Sequence, residues 1–198
     1  RPLAWETALA WWEANITGSE QAFERAAALQ AQLMKIYARE EEYRFLQEIP
    51  NNSLSDPLNR RQHKLLLDEY RGHQMSEKTI DEIVQREKEI EKEYNTYRAL
   101  FRGEHVSDNT LRDILQKSND SEERREAWEA SKQIGERVAD AVRELVRIRN
   151  REARRLGFRD YYAMQLELQE LDESRLFTLL EELHQLSDAP FRRYKEEL

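Results

Sequence analysis

Cysteine is absent from the 198 residues, and glycine and proline are scarce, with 5 and 4 copies. Without cysteine, neither a disulfide framework nor a thiolate zinc site can form. So few glycines and prolines leave little room for an all-β or loop-rich fold. No apolar run approaches the length needed to cross a bilayer, and no signal-peptide pattern is visible. The sequence therefore predicts no membrane partner and favours a cytoplasmic location without establishing it.

The chain also lacks a basic surface. Its formal net charge is -8 and its sequence pI is about 5.3, with no stripe of lysine and arginine interleaved with aromatic residues. Because phosphate binding needs such a stripe, we expect no nucleic-acid partner. Charged residues make up 36% of the chain, yet 4 Trp, 8 Tyr and 6 Phe argue against disorder. Long amphipathic helices with one solvated face account for both observations.

The most informative stretch is about 120–157, which reads as one long helix with both ends marked. Asp120 suits the N-cap, and Glu123 is spaced to complete a capping box with it. Gly157 suits the left-handed residue that closes a helix, with Phe158 placed to pack back on the last turn. At 1.5 Å per residue such a helix is roughly 50 Å long. The residues at helical spacing expected to face a core are Trp128, Gly135, Val138, Val142, Leu145, Arg149 and Leu156.

Shorter amphipathic segments precede this helix, and no strand-like alternation is visible anywhere. A helix is predicted over 3–14, with Trp5, Leu9 and Trp12 on one face. Thr17 and Glu20 form a capping-box signal for a second helix that extends to about Leu46. A third helix is predicted to begin at Asp56, before Pro57, and to end at Gly72. A fourth is predicted to begin at Ser76 and end at Gly103, and a short one to begin at about Asp108.

After the long helix, one helix is predicted to begin near Asp172, and the SDAP segment before Phe191 is predicted to start another. The whole chain is expected to be a single all-helical region with the long helix at the centre of an elongated body. The chain begins at Arg1 rather than Met and ends in a helix-like segment, FRRYKEEL. We therefore expect it to be a piece of a larger protein.

No complete active site is visible in the sequence. The four histidines, His63, His73, His105 and His184, never lie three or four residues apart. A helical zinc-hydrolase motif needs two histidines one turn apart, with a carboxylate base between them. The closest fragment is Glu181 with His184, but di-iron bundles need two such pairs, so a packing role for His184 is expected. No catalytic, metal-binding or cofactor-binding residue is predicted in this chain.

The tryptophans at the start could line a ligand groove, but a cluster such as Trp5, Trp11 and Trp12 is more often a docking face. Glu40, Glu41 and Glu42 are interpreted as a solvated face rather than a carboxylate site. No glycine-rich phosphate loop or nucleophile elbow is present. Residue chemistry alone therefore predicts a helical scaffold.

Two segments resemble the angiotensin-converting-enzyme-like family of zinc peptidases. The long helix and the residues after it match a family pattern at Trp128, Gly135, Asn150, Ala153, Arg154, Phe158, Asp160 and Tyr161. The beginning matches the family's Trp-x-x-Asn-Ile-Thr segment at Trp12, Asn15, Ile16 and Thr17. Because the two matches occur in the right order, the similarity is expected to span nearly the whole chain. Oligoendopeptidase-like and thimet-oligopeptidase-like families share the helical body and are close competitors.

The resemblance implies the N-terminal part of a gluzincin peptidase, a helical ellipsoid with a channel that admits short peptides. In such enzymes two histidines of H-E-x-x-H and a downstream glutamate hold zinc, and the motif glutamate activates water. Those residues lie beyond the matched region, so zinc is expected in a missing C-terminal part and not in this chain. Residues 1–48 would supply lid-like helices and 56–198 the channel wall. The expected partners are short peptides and the chain's own catalytic half.

Two departures from vertebrate members favour a bacterial-type relative. Gln165-Leu166 stands where those members place a Trp-Arg pair used for chloride, which argues against chloride activation. The vertebrate cysteines are also absent. An alternative hypothesis, from a different functional class, is that the chain is a stand-alone helical interaction module that uses its tryptophan face and long helix for docking.

Overall fold

The computed structural model describes residues 2–50 and 53–197. Within these ranges it contains nine α-helices and one short β-hairpin, which confirms the predicted all-α class. None of the described helices is both long and apolar enough to cross a membrane. The elements, in chain order, are α1 (Pro2–Thr17), α2 (Glu20–Tyr37), α3 (Glu40–Glu48), α4 (Pro57–Gly72), α5 (Glu77–Thr96), β1 (Ala99–Phe101), β2 (Glu104–Val106), α6 (Asp108–Lys117), α7 (Ser121–Arg155), α8 (Tyr161–Leu168) and α9 (Glu173–Glu196).

Polar N-caps define most of the helix starts. The predicted caps Asp56, Ser76, Asp120 and Asp172 are confirmed. Each side-chain oxygen accepts a hydrogen bond from a backbone N–H two or three residues on, at 2.7–3.1 Å. These bonds satisfy amides that have no partner inside the helix. Local signals in the sequence are therefore sufficient to place these starts.

The first two helices differ from the prediction at their boundaries. Ser19, not Thr17, caps α2 and accepts from the N–H of Ala22 at 3.2 Å. The Thr17 hydroxyl instead donates to the carbonyl of Glu13, which keeps Thr17 in α1. α2 ends at Tyr37 rather than near Leu46. The three glutamates that follow occupy the first turn of α3, where negative charge complements the helix dipole and favours a new N-terminus.

The prediction of continuous helix to Gly103 is wrong. α5 ends at Thr96, and Ala99–Phe101 pairs antiparallel with Glu104–Val106. The two linking residues, Arg102 and Gly103, both have positive φ, as a tight two-residue hairpin turn requires. The hairpin is held by packing, because Ala99 lies in a buried cluster with Leu111 of α6. Strands this short carry no periodicity from which they could be predicted.

The long helix is confirmed as α7, with 35 residues and a length of roughly 50 Å. Gly157 has φ +92° and donates to the carbonyl of Arg154, while the N–H of Phe158 donates to Ala153, both at 3.0 Å. This is the Schellman pattern of helix closure. The predicted capping box is not formed, because the Glu123 carboxylate accepts from Ser118 and pairs with Arg102 instead.

The predicted buried face of α7 is only partly correct. Leu145 is buried, but Trp128 is 54% exposed and Val142 is also exposed. The buried face is rotated relative to the predicted one and includes several alanines. Its buried residues are Ala127, Ala130, Leu145, Ile148, Glu152 and Ala153. Alanines allow the hairpin and α6 to approach the helix closely, which leaves the larger tryptophan on the outside.

The last helix also differs from the prediction of two segments. α9 continues through Pro190 instead of restarting there. Proline has a helical φ, and its missing N–H frees only the carbonyl of Leu186. Leu186 lies on an exposed part of the helix, so water can solvate that carbonyl. None of the described residues of α9 is buried.

The core is a chain of small clusters rather than one centre. α1 packs on α2 through Ala10, Ala14 and Phe23, and α2 packs on α5 through Ala27 and Ile80. Farther along, α5 packs on α7 through the buried side chains of Ile83, Leu145 and Ile148. The end of α7 packs on α8 through Ala153, Phe158 and Met164. The clusters connect α1, α2, α5, α7 and α8 in series, which leaves several outer helix faces uncovered.

Candidate functional site: outer faces, clefts and the α7–α8 turn

The histidines do not converge in the structure. His63, His73 and His105 each bring one ring nitrogen within 2.8–3.1 Å of a backbone carbonyl. In the part of the chain that the structure describes, no three His, Cys, Asp or Glu residues are grouped to hold a metal ion. The described residues therefore do not fit a zinc site.

The fragment Glu181 and His184 lies on α9, one turn apart on an exposed surface. The Glu181 carboxylate accepts a hydrogen bond from Gln185 at 2.9 Å on the same helix. His184 does not pack into a core as expected, because α9 buries none of its described residues. Within the described residues, Glu181 and His184 belong to no group of three or more residues that could hold a metal ion.

An apolar stripe runs along the outer side of α1. Its members, separated by three or four residues, are Trp5, Leu9, Trp12 and Ile16. Trp5 is 67% exposed and Trp12 is 62% exposed. The opposite side of α1 packs on α2 with small residues, Ala10 and Ala14. The face predicted from the sequence therefore exists, but it points away from the core.

A second apolar stripe lies on α9. Its exposed members are Phe177, Leu179, Leu180, Leu183, Leu186, Phe191 and Tyr194. Most of them recur at helical spacing, while charged residues such as Glu181, Glu182 and Arg192 occupy the other side. Soluble monomers seldom leave such contiguous apolar surfaces open, and large ones mark interaction sites. The α1 stripe and the α9 stripe are the best candidates for interaction surfaces.

The matched motif after the long helix forms the turn that joins α7 to α8. The side-chain oxygen of Asn150 accepts a hydrogen bond from the backbone N–H of Tyr161 at 2.9 Å. Asp160 caps α8 by accepting from Ala163 at 2.8 Å, and this bond helps to keep the pKa of Asp160 below its ordinary value. Phe158 is buried, with the Arg71 guanidinium 4.3 Å from its ring centre. These residues hold two helices in a fixed orientation.

A cleft of about 420 Å³ lies between α2, α4, α5, α7 and α8, next to this turn. On its wall Arg149 pairs with Glu87 and lies 4.9 Å from the ring centre of Tyr161. Burial raises the pKa of Tyr161 above its ordinary value. Because Arg149 and Glu87 neutralise each other, the cleft wall presents a satisfied ion pair rather than a free charge.

The buried carboxylate of Glu152 was not predicted from the sequence. It is 7% exposed and accepts hydrogen bonds from Arg151 and Arg155 at 3.0 and 2.9 Å. Burial opposes its ionisation, but the two guanidinium groups outweigh burial and lower the pKa of Glu152. The i,i+3 spacing of Glu152 and Arg155 was the signal available in the sequence. Its contacts are those of a structural ion pair within the helix.

Comparison with known proteins decides the family. A family model described as angiotensin-converting enzyme, peptidase family M2, matches residues 2–190. The chain belongs to this family. No curated protein and no solved structure matches it. Membership of the angiotensin-converting-enzyme family confirms the resemblance carried by the two motifs and agrees with the helical fold. The chain is thus a helical region related to metallopeptidases.

Proposed function

We propose that this chain is the N-terminal helical part of a zinc-dependent peptidase that hydrolyses short peptides. Residues 1–48 would act as lid-like helices and 56–198 as channel wall, while zinc and the catalytic groups are supplied by a C-terminal half. The chain itself would hold neither zinc nor a catalytic residue. Its own contribution is to enclose the substrate and exclude bulk water and folded proteins from the catalytic centre.

The observation that carries the proposal is a pair of exposed apolar stripes on a chain of a peptidase family. Leu183 and Leu186 of α9 are 60% and 76% exposed, although each would be stabilised by burial. Fully covering a large apolar side chain is worth about 1.5–3 kcal/mol. A catalytic half seated on α9 would gain this free energy from several side chains at once. The stripe therefore fits an internal interface of a larger fold.

The absence of a metal-binding group among the described residues supports the proposal that a C-terminal half supplies the zinc ligands. A peptidase of this family requires zinc ligands, whereas the chain's histidines are separated, and three of them contact backbone carbonyls. The ligands would then have to come from outside residues 2–197. The cleft beside Tyr161 and the exposed side of α7 near Trp128 would face the substrate channel.

A second function, a stand-alone interaction module, is favoured by the outer stripe of α1. Trp5 and Trp12 are large aromatic side chains in solvent, the type of residue that dominates the energetics of protein interfaces. In this case the stripe would bind a separate protein rather than the catalytic half. The module would function without any peptidase activity.

Metal analysis of the purified chain tests the main proposal. The chain should contain only substoichiometric zinc after dialysis against zinc and removal of free metal, and it should not cleave an internally quenched peptide. The His184→Ala variant is the matched control, and it should show the same zinc content. One tightly held zinc per chain, lost in His184→Ala, would refute the proposal.

A further inference from the structure

A second cleft, with a volume of about 410 Å³, lies between α1, α2 and α5 and shares the lining residues Gln30 and Glu87 with the cleft beside Tyr161. Its floor is apolar and firmly packed, because Phe23 and Val84 are buried core residues. One wall is formed by α1, where Ala8 leaves space and the indole of Trp11 stands at the edge. The volume lies in the range of small-molecule sites. The cleft is separate from the α7–α8 turn and from the outer stripe of α1.

The opposite rim carries three charged residues of α5: Glu87, Lys88 and Glu91. Two of them already have partners. Glu87 pairs with Arg149 of α7, and the ammonium of Lys88 is 3.6 Å from the carboxylate of Glu20. Among the described residues, Glu91 has no cationic partner within ion-pair distance. Glu20 also pairs with Lys92, and among the described residues Glu91 is the rim carboxylate that takes part in no ion pair.

Glu91 is held in position by the aromatic wall. The indole N–H of Trp11 donates a hydrogen bond to its carboxylate at 3.2 Å, joining α1 to α5 across the cleft. Partial burial of the carboxyl group raises the pKa of Glu91, and this hydrogen bond only partly opposes the effect. A carboxylate at the edge of an apolar cleft, with no counter-ion among the described residues, can accept a charge-assisted hydrogen bond from a bound cation.

We propose that this cleft binds an organic ammonium ion carrying an apolar or aromatic arm. The ammonium would pair with Glu91, and the arm would lie along Trp11 and over Phe23 and Val84. A neutral apolar ligand would fill the same space but leave the carboxylate without a partner. An anionic ligand would be repelled by Glu91. This inference does not depend on the proposed peptidase function.

Phenethylammonium is a suitable probe because it combines a primary ammonium with an aromatic arm. Proton–nitrogen NMR resolves the indole N–H signals of the four tryptophans, and Trp11→Phe identifies the signal of Trp11. Titration should shift the Trp11 signal saturably while leaving those of Trp5, Trp12 and Trp128 nearly unchanged. 2-Phenylethanol, the neutral analogue, should bind about tenfold more weakly or worse, because it lacks the charge-assisted hydrogen bond.

The decisive variant is Glu91→Gln, which keeps an oxygen for the Trp11 indole but removes the charge. It should weaken phenethylammonium binding about tenfold and leave 2-phenylethanol binding unchanged. Glu89→Gln is the matched control, since Glu89 is exposed on the same helix and does not line the cleft. The proposal is overturned if both variants bind phenethylammonium equally, or if all four indole signals move together without saturation.

Discussion

The side-chain oxygen of Asn150 accepts a hydrogen bond from the backbone N–H of Tyr161 at 2.9 Å, which fixes the start of α8 against α7. Asn150→Ala leaves this partly buried N–H without its partner, so we expect the free energy of unfolding to fall by about 1–3 kcal/mol. Urea denaturation followed by circular dichroism measures the loss. Asn150→Asp retains the acceptor and should lose less. Equal losses in the two variants would show that the bond does not matter.

Replacement by alanine should have opposite effects on stability at Gly135, inside α7, and at Gly157, which follows the end of α7. Gly157 has φ +92°, so Gly157→Ala should destabilise by about 1–2 kcal/mol through backbone strain. Gly135 lies inside α7 with open space around its Cα, so Gly135→Ala should stabilise by about 0.4–1 kcal/mol. Thermal and urea unfolding of both variants check this. A loss at Gly135 would mean that the helix is not continuous there.

Both clues to the long helix, its cap at Asp120 and its closing Gly157, are local, which is why the sequence predicts it. The same holds for the caps Asp56, Ser76 and Asp172. Such signals act through hydrogen bonds to neighbouring backbone groups and need no tertiary contact. The family could likewise be predicted, because Asn150, Phe158 and their neighbours form a contiguous motif.

Features that depend on tertiary packing could not be predicted. The hairpin over 99–106 is stabilised by contacts with α6 and α7, and three-residue strands carry no periodic signal. The core side of α1 is formed by Ala10 and Ala14, since small residues let α1 approach α2, and hydrophobicity alone does not identify alanines as the packing side. The cleft lined by Trp11 and Glu91 forms only where α1, α2 and α5 meet, so no single segment of the sequence predicts it.

Glu170 should titrate far below an ordinary glutamate. Hydrogen bonds from Arg61 and Lys64 of α4 lower the pKa of Glu170 from 4.5 to about 2. Because the folded-state pKa is depressed, this cluster stabilises the protein above about pH 4.5, and the contribution is lost as the pH falls towards 2. Carbon-13 NMR of the carboxyl group should show a midpoint near 2. The double variant Arg61→Gln, Lys64→Gln should raise that midpoint, and an ordinary midpoint in the unmodified chain would contradict the structure.

The α9 stripe can be altered without disturbing the core. Leu183 and Leu186 are exposed, so the double variant Leu183→Glu, Leu186→Glu should change the free energy of unfolding by less than about 0.5 kcal/mol per site. It should also reduce binding of an apolar dye and any concentration-dependent self-association.

Leu145→Ala is the control for the α9 variants, because Leu145 is buried between α5 and α7. It should destabilise by about 2–5 kcal/mol and leave native-state dye binding by α9 intact. If the α9 double variant unfolds as readily as Leu145→Ala, then α9 packs on the rest of the chain and is not an open surface.

The central claim is that this helical region works as part of a larger zinc peptidase. The most direct test is the intact mass and zinc content of the native protein, captured from its source cells with an antibody against α9 or α7. The account predicts a species much heavier than 23.8 kDa that carries zinc and cleaves short peptides. A native species of about 23.8 kDa would contradict it, and the α1 stripe would then point to a stand-alone interaction module.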